Sequence, residues 1–325
     1  EKDMRITTLT DEAVALQPAV ATIGFFDGVH LGHRYLLAQV IEEAGRRGVQ
    51  PMAITFDRHP REVLDSDYRP ALLTTLDDKL SLIGQSGIEH CVVLRFTREL
   101  AAMPARTFMS DILRGRLNVC GLVLGYDNRF GHDRDARFGD YVEWGRELGI
   151  DVSRGLPYDV DGLRVSSSVV RRLVAAGDME LARKCLGRPY AITGKVVGGY
   201  QEGRKIGFPT ANIVPAETSL LHPANGVYGV MVGVDGIGNR YRGMMNIGRR
   251  PTFNGHHTTF EVNILDFDGD LYGKTLTVEF CHRVRDERKF TDIGQLVAQL
   301  HEDRMTITKM FDNDDNKKHL CEGRR

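Results

Sequence analysis

Gly24-Phe25-Phe26-Asp27-Gly28-Val29-His30-Leu31-Gly32-His33 is the stretch on which the reading of the first half of the chain turns. Before it lies a short apolar run, residues 20–23. After it, residues 35–47 place Leu36, Leu37, Val40, Ile41 and Ala44 at helical spacing, and Gly48 supplies the stop. The pattern is strand, glycine-bearing turn, helix. At the carboxyl end of a first parallel strand, glycines let the backbone close on a phosphate, and a helix start adds free N–H groups and partial positive charge. Gly24, Phe26, Asp27, Gly28 and Gly32 build that cradle. His30 and His33 frame a glycine as HxGH, where two imidazoles can donate to phosphate oxygens as charge builds in displacement at an α-phosphorus. A lone histidine here would read as a cap or a turn residue; two at a strand-to-helix switch point to chemistry.

Working outward, residues 52–56, 91–96 and 119–124 are further strand candidates alternating with helical patterns up to about residue 186, the signature of βαβ units. The expectation is a doubly wound parallel-sheet α/β domain over residues 1–186. After Leu186 the texture changes to β-branched and aromatic runs, residues 192–197, 227–234, 258–265 and 275–280, separated by Gly, Asn, Asp and Pro clusters. Only residues 292–300, with Thr291 as N-cap, look helical there. A β-barrel with a C-terminal helix is expected over residues 187–325, joined at Gly187-Arg188-Pro189, with a solvated tail from Asp312.

Composition narrows the function classes. The 325 residues are 42% hydrophobic and 27% charged, enough for two ordinary cores. Lys+Arg of 43 against Asp+Glu of 44 leaves a net charge of -1, so no overall field draws in nucleic acid or an anionic membrane, and phosphate binding must be local. The five cysteines, Cys91, Cys120, Cys185, Cys281 and Cys321, are odd in number and lack metal-ligand spacing. They read as reduced thiols of a cytoplasmic protein. No leader-like apolar segment and no membrane span are expected.

A second cluster, Arg164-Val165-Ser166-Ser167-Ser168-Val169-Val170-Arg171, precedes a helical pattern. Hydroxyls and N–H groups at a helix start, with Arg171 one turn inside, suit a triphosphate. Alone it would be an ordinary serine cap. Together, the GFFDGVHLGH and RVSSSVVRR segments resemble the nucleotidyltransferase domain of bacterial bifunctional riboflavin kinase/FAD synthetases. Thr55-Phe56-Asp57-Arg58-His59-Pro60 resembles that family's TFDPHP stretch, and Gly125-Tyr126-Asp127-Asn128-Arg129-Phe130-Gly131 its GEDFRFG segment. Arg58, Tyr126 and Asn128 depart from the pattern. The resemblance implies that the phosphate of FMN attacks the α-phosphate of MgATP and pyrophosphate leaves. It further implies His30, His33 and Arg171 as catalytic groups, Arg164 and Ser166 to Ser168 as phosphate ligands, and Asp57, His59, Asp127 and Asn128 as flavin contacts.

In the second half, the glycine-rich run from Gly194 to Asn212 lacks the GxxxxGK[ST] of a P-loop. Taken bare, its glycines could be hairpin turns. The Thr210 hydroxyl and Asn212 carbonyl are the hard oxygen donors Mg²⁺ prefers. Gly203 to Asn212 carries GxxxGFPTAN, which resembles the riboflavin kinase hallmark, and Gly226-Val227-Tyr228, Asn246-Ile247-Gly248, Pro251-Thr252-Phe253, Glu261-Val262-Asn263 and Arg285-Asp286-Glu287-Arg288-Lys289-Phe290 follow in that family's order. The resemblance implies a six-stranded antiparallel barrel, with ATP held by Gly203, Arg204, Gly207, Phe208 and Pro209, and Mg²⁺ by Thr210 and Asn212. It implies Glu261 as the base for the attacking hydroxyl, and riboflavin against Arg285, Glu287 and Phe290. ATP, riboflavin and FMN are the expected small-molecule partners, the flavins as substrates and products; protein partners are not legible.

Other signals fall away. Asp266, Asp268 and Asp270 mimic an EF-hand opening, but Leu271 and Thr277 occupy its glycine and last-ligand positions, so a β-turn is expected. His256-His257 has no completing ligand set, and Arg46-Arg47 suits a helix C-terminus. Two other readings stay open at this level: a kinase fused to a nucleotidyltransferase of different substrate, and a non-catalytic flavin-binding regulator.

Overall fold

In the computed structural model, which describes residues 3–9, 16–126, 128–132, 136–198, 202–252 and 255–322, the first unit is built on six parallel strands. They are β1 (Arg5–Thr8), β2 (Ala19–Ile23), β3 (Gln50–Phe56), β4 (His90–Leu94), β5 (Val119–Leu124) and β6 (Asp151–Arg154), ordered β1-β4-β3-β2-β5-β6. β2 and β4 are buried along their whole length because both faces of a parallel sheet are covered. The two-residue period sorts the side chains. Ala19, Ala21, Ile23, Met52, Ile54 and Val92 pack with the helical segments Phe108–Arg116 and Phe138–Leu148. Val20, Ala53, Cys91 and Val93 pack with the helices Leu31–Arg47 and Leu76–Gly84 on the other face.

β1 and β6 were not expected from the sequence. Both are four-residue edge strands, largely exposed, and lack the continuous apolar run that announces an interior strand. From β2 the chain builds outward through β3 and β4, then returns to the other side of β2 with β5. Such a reversal opens a crevice at the carboxyl ends of the strands. The HxGH loop follows β2 there. A hairpin of β7 (Asp159–Val160) and β8 (Leu163–Arg164) then leads to the helix Ser167–Ala176, and the internal contacts divide the chain between Val169 and Val170.

The second unit is a closed antiparallel barrel of β9 (Tyr190–Val197), β10 (Ala211–Pro215), β11 (Gly226–Val234), β12 (Ile237–Thr252), β13 (Gly255–Ile264) and β14 (Thr275–Arg285), ordered β10-β13-β12-β11-β14-β9. Closure leaves no free edge. Alternate residues turn outward, so Val227, Met244 and Cys281 form a separate apolar layer with Ile307 and Phe311 of the helix Ile293–Glu322.

That helix runs far past the residues 292–300 expected, and the stretch from Asp312, solvated as expected at Asp312, Asn313 and Asp315, continues as helix to Glu322. Its acids have partners: Arg242 reaches Asp312 at 2.7 Å and Asp315 at 2.8 Å, while His282 lies 3.1 Å from both Glu180 and Asp314. Cations on the barrel wall, distant in sequence, convert a charge-rich stretch into a docked helix.

Candidate active sites

The HxGH loop is held in an uncommon conformation. Phe26 and Val29 have φ of 55° and 36°, and for a β-branched residue a positive φ is an outlier that the surroundings must enforce. The enforcing contacts centre on buried Asp27. Its Oδ1 accepts from the backbone N–H of Leu73 at 2.8 Å and of Thr74 at 3.3 Å, and the Thr74 hydroxyl accepts from Gly28 N–H at 3.1 Å. His30 is the N-cap of Leu31–Arg47: its Nδ1 accepts from His33 N–H at 3.2 Å. A neutral His30 therefore carries its proton on Nε2, a donor. The two rings stack with centroids 3.6 Å apart. Space is tight at Gly32, where a Cβ would lie 3.1 Å from both His30 Nδ1 and the Val165 carbonyl.

The serine cluster meets this loop. Ser167 Oγ donates to the Asp27 carbonyl at 3.0 Å, and Ser166 Oγ accepts from Val169 N–H at 3.3 Å, capping the helix Ser167–Ala176; Ser168 is exposed. Arg164 pairs with Asp159 and lies over the Tyr126 ring at 5.3 Å. Arg171 lies one turn past Ser167 on the same helix, in the part assigned to the second unit. Gly24 N–H donates to the Ile54 carbonyl at 3.0 Å, and the Asn128 amide donates to the Ile23 carbonyl, so β2, β3 and the Gly125 loop converge. Asp127 lies outside the described residues.

Asp57 and His59 serve local structure first. Asp57 accepts from Phe96 N–H at 2.9 Å and pairs with Arg58 at 3.2 Å. His59 caps the helix Pro60–Leu64, and its ring stands edge-on to Phe25 at 5.0 Å.

In the barrel, two cavities share Thr210. The first, about 210 Å³, is lined by Arg204, Pro209, Thr210 and Asn212, and by the turn from Phe267 to Tyr272. In that turn Asp270 Oδ1 accepts from Tyr272 N–H at 3.0 Å, a local turn bond. The second, about 290 Å³, is lined by Gly203, Phe208, Thr210, Asn246, Glu261, Asn263, Arg285, Glu287 and Phe290. The hallmark loop is tightly wound: Phe208 N–H donates to the Gly203 carbonyl at 2.8 Å, and a Cβ on residue 203 would come within 2.2 Å of Phe208 O. Gly207 has φ 81°. Asn263 Nδ2 donates to Pro209 O at 2.7 Å, tying the loop to β13. The Thr210 hydroxyl and Asn212 amide oxygen, on the first cavity, are a donor set that fits Mg²⁺, which usually takes one or two protein oxygens with water and phosphate oxygens for the rest. Among the described residues no cluster of three or more His, Cys, Asp or Glu could hold a metal by itself. Those described do not include Phe253 or the side chains of His256 and His257.

Comparison with known proteins follows the same division. The FAD synthetase family model matches residues 12–169 and the riboflavin kinase model residues 186–311. The bifunctional riboflavin kinase/FMN adenylyltransferase of Escherichia coli K12 is 40% identical over 293 residues, covering 90% of this chain and 92% of that one. The chain belongs to the bifunctional riboflavin kinase/FMN adenylyltransferase family. The Bacillus subtilis bifunctional riboflavin kinase/FMN adenylyltransferase is 35% identical over 313 residues, covering 91% and 93%. A solved structure described as a macrolide-efflux protein from Streptococcus pneumoniae shares the fold with a TM-score of 0.85 and 29% identity, over 94% of this chain and 99% of that one. Among the described residues here no helix is long and apolar enough to cross a membrane.

Three side chains beside these sites escaped sequence reading. In the FMN adenylyltransferase part, Lys79 is buried, donates from Nζ to the Phe56 carbonyl at 2.9 Å and lies 4.3 Å from the Phe25 ring centre. Burial pulls its ammonium down to about 8, against the attraction of Asp27, Cys91 and Asp57. In the riboflavin kinase part, Asp303 is 1% exposed and takes both Nε and Nη2 of Arg285, at 2.7–3.0 Å, so Arg285 reaches the second barrel cavity already anchored. Each is an ionic residue inside an apolar helical stripe: Leu76, Lys79, Leu80, Ile83 in one case, Leu300, Asp303, Ile307, Phe311 in the other. That misplacement is the signal that could have found them. The third is Thr74, which stays hidden because only the fold brings it to Gly28.

Proposed function

We propose that residues 187–325 transfer the γ-phosphoryl group of ATP to riboflavin, giving FMN, and that residues 1–186 adenylylate FMN with a second ATP, giving FAD and pyrophosphate. The observation that carries this reading is Thr210, a residue of the family hallmark, at the border of two cavities. A phosphoryl transfer needs a donor pocket and an acceptor pocket meeting at the travelling phosphorus.

In the kinase, the tight loop from Gly203 to Pro209 closes over the nucleotide, and Arg204 faces its phosphates. Thr210 and Asn212 would hold Mg²⁺, which when bound neutralises charge on the phosphate oxygens. Glu261 accepts the proton of the ribityl hydroxyl that attacks, while Arg285, Glu287 and Phe290 hold the flavin in the second cavity. In the adenylyltransferase, a phosphate oxygen of FMN displaces pyrophosphate at the α-phosphorus. His30, through Nε2–H, and His33 stabilise the charge on that phosphorus centre. Ser166, Ser167, Ser168, Arg164 and the N-terminus of Leu31–Arg47 carry the polyphosphate, with Gly24, Phe26, Asp27, Gly28 and Gly32 shaping the cradle. Arg171 adds a guanidinium to the leaving pyrophosphate. Asp57, His59, Asp127 and Asn128 border the FMN ring. Cys91, Cys120, Cys185 and Cys281 are free thiols, in keeping with a reducing cytoplasm.

The test is incubation of the chain with riboflavin and MgATP, the flavins then resolved by chromatography. FMN followed by FAD is expected; FMN alone would refute the adenylyltransferase half, unchanged riboflavin would refute the kinase half, and FMN supplied directly with MgATP and not converted to FAD would refute the adenylyltransferase half independently.

A further inference from the structure

At the carboxyl ends of β5 and β6 lies a third cavity, of about 340 Å³, that no motif announces. It is lined by Arg129, Arg137 and Arg154, with Tyr126, Phe138 and Asn128 among its walls. The guanidinium of Arg154, the last residue of β6, lies 4.2 Å from the Phe138 ring centre, so its plane is braced before any ligand arrives. Among the described residues, neither Arg137 nor Arg154 enters an ion pair with a carboxylate, whereas nearby Arg164 is neutralised by Asp159. Two guanidiniums in one cavity, neither of them in an ion pair among the described residues, suit a doubly charged anion, because the planar fork of arginine binds phosphate oxygens in pairs.

The position narrows the ligand. Asn128 lines this cavity and donates to the carbonyl of Ile23, the last residue of β2, whose continuation is the HxGH loop. The cavity thus sits on the β5 side of the switch point, beside the polyphosphate cradle on the β2 side. The polyphosphate of ATP already has the serine cluster, a helix N-terminus and two histidines. A second phosphate, carrying close to two negative charges at neutral pH, has to be held within reach of the α-phosphorus.

We propose that Arg137 and Arg154 form the subsite that grips the phosphate of FMN for adenylylation. This rests on the reading of residues 1–186 as the FMN adenylyltransferase. Arg137→Gln, Arg154→Gln and the double variant, made in the full chain, are compared with the wild type for FAD formation over ranges of FMN and of ATP. Each single change is expected to raise KM for FMN about 10- to 100-fold, the double change more, with KM for ATP and the phosphorylation of riboflavin unchanged. Arg154→Lys, which keeps the charge but not the fork, falls between. An unchanged KM for FMN overturns the subsite, as does a rise confined to KM for ATP or to the inhibition constant of pyrophosphate, which would assign the cavity to the donor. A wild-type chain that makes no FAD from FMN overturns the underlying reading; a wild type that makes FAD beside variants with normal KM sinks the subsite alone. Retained riboflavin phosphorylation, together with an unchanged thermal melting profile, separates lost binding from lost folding.

Discussion

Asn212 on β10 and Glu261 on β13 are direct cross-strand partners, and Glu261 is also paired across to Asn246 on β12. Residues directly opposite in a ladder share a face, so the carboxylate is flanked by two amides. Asn212 reaches the first barrel cavity, Glu261 the second, and Thr210 borders both. Register alone therefore sets the carboxylate beside the first cavity.

Glu261→Gln preserves size and hydrogen bonding but removes the proton acceptor. Riboflavin phosphorylation should fall about 10²- to 10⁴-fold, while FAD formation from added FMN stays at the wild-type rate. Initial rates with each flavin check both halves.

His33→Ala should do the reverse: FMN accumulates normally and FAD formation drops about 10²- to 10³-fold. His30→Ala should match it in rate and also lose about 1 kcal/mol of stability, because His30 caps Leu31–Arg47. Chemical denaturation of the two variants separates the cap from the chemistry.

Lys79 makes stability depend on pH in a defined window. Its ammonium is shifted down to about 8 from an ordinary 10.5, so between those values the unfolded chain binds more protons and stability rises with pH, by at most about 1.4 kcal/mol per unit. Below pH 8 both states are charged and the burial cost is constant. Lys79→Met removes this titration. Unfolding free energies at pH 7.5, 8.5 and 9.5 should therefore show the wild type gaining on the variant as pH rises; parallel curves would contradict the burial argument.

Asp303→Ala leaves Arg285 in a half-buried site with its main partner gone, at a cost of about 3–5 kcal/mol, and frees the side chain that reaches the cavity proposed for riboflavin. KM for riboflavin should rise while adenylylation of FMN is untouched. The double variant Arg285→Met/Asp303→Leu should recover stability but not riboflavin affinity, as followed by thermal melting and kinase assay.

The interior strands, the HxGH turn and the barrel hallmark were legible because each is a local pattern: an apolar run, two histidines framing a glycine, a glycine-rich loop ending in Thr210 and Asn212. β1 and β6 were not, since four mostly exposed residues carry no run long enough to see. The helical course from Asp312 onward was hidden for another reason: its acids acquire meaning only beside Arg242 and His282. The same holds for Arg137 and Arg154, ordinary arginines in sequence that one cavity brings together. Local pattern announced the chemistry of the two cradles, whereas the residues that brace them are set by contacts between distant segments.

In the proposed function, two different phosphorus atoms of ATP are attacked in two separate places on one chain. Supplying riboflavin with ATP labelled at either the γ- or the α-phosphorus tests it directly. The γ-label should appear in FMN and persist in FAD, and the α-label should appear in FAD but never in FMN. A γ-label released only as inorganic phosphate, or FAD lacking the α-label, would contradict it.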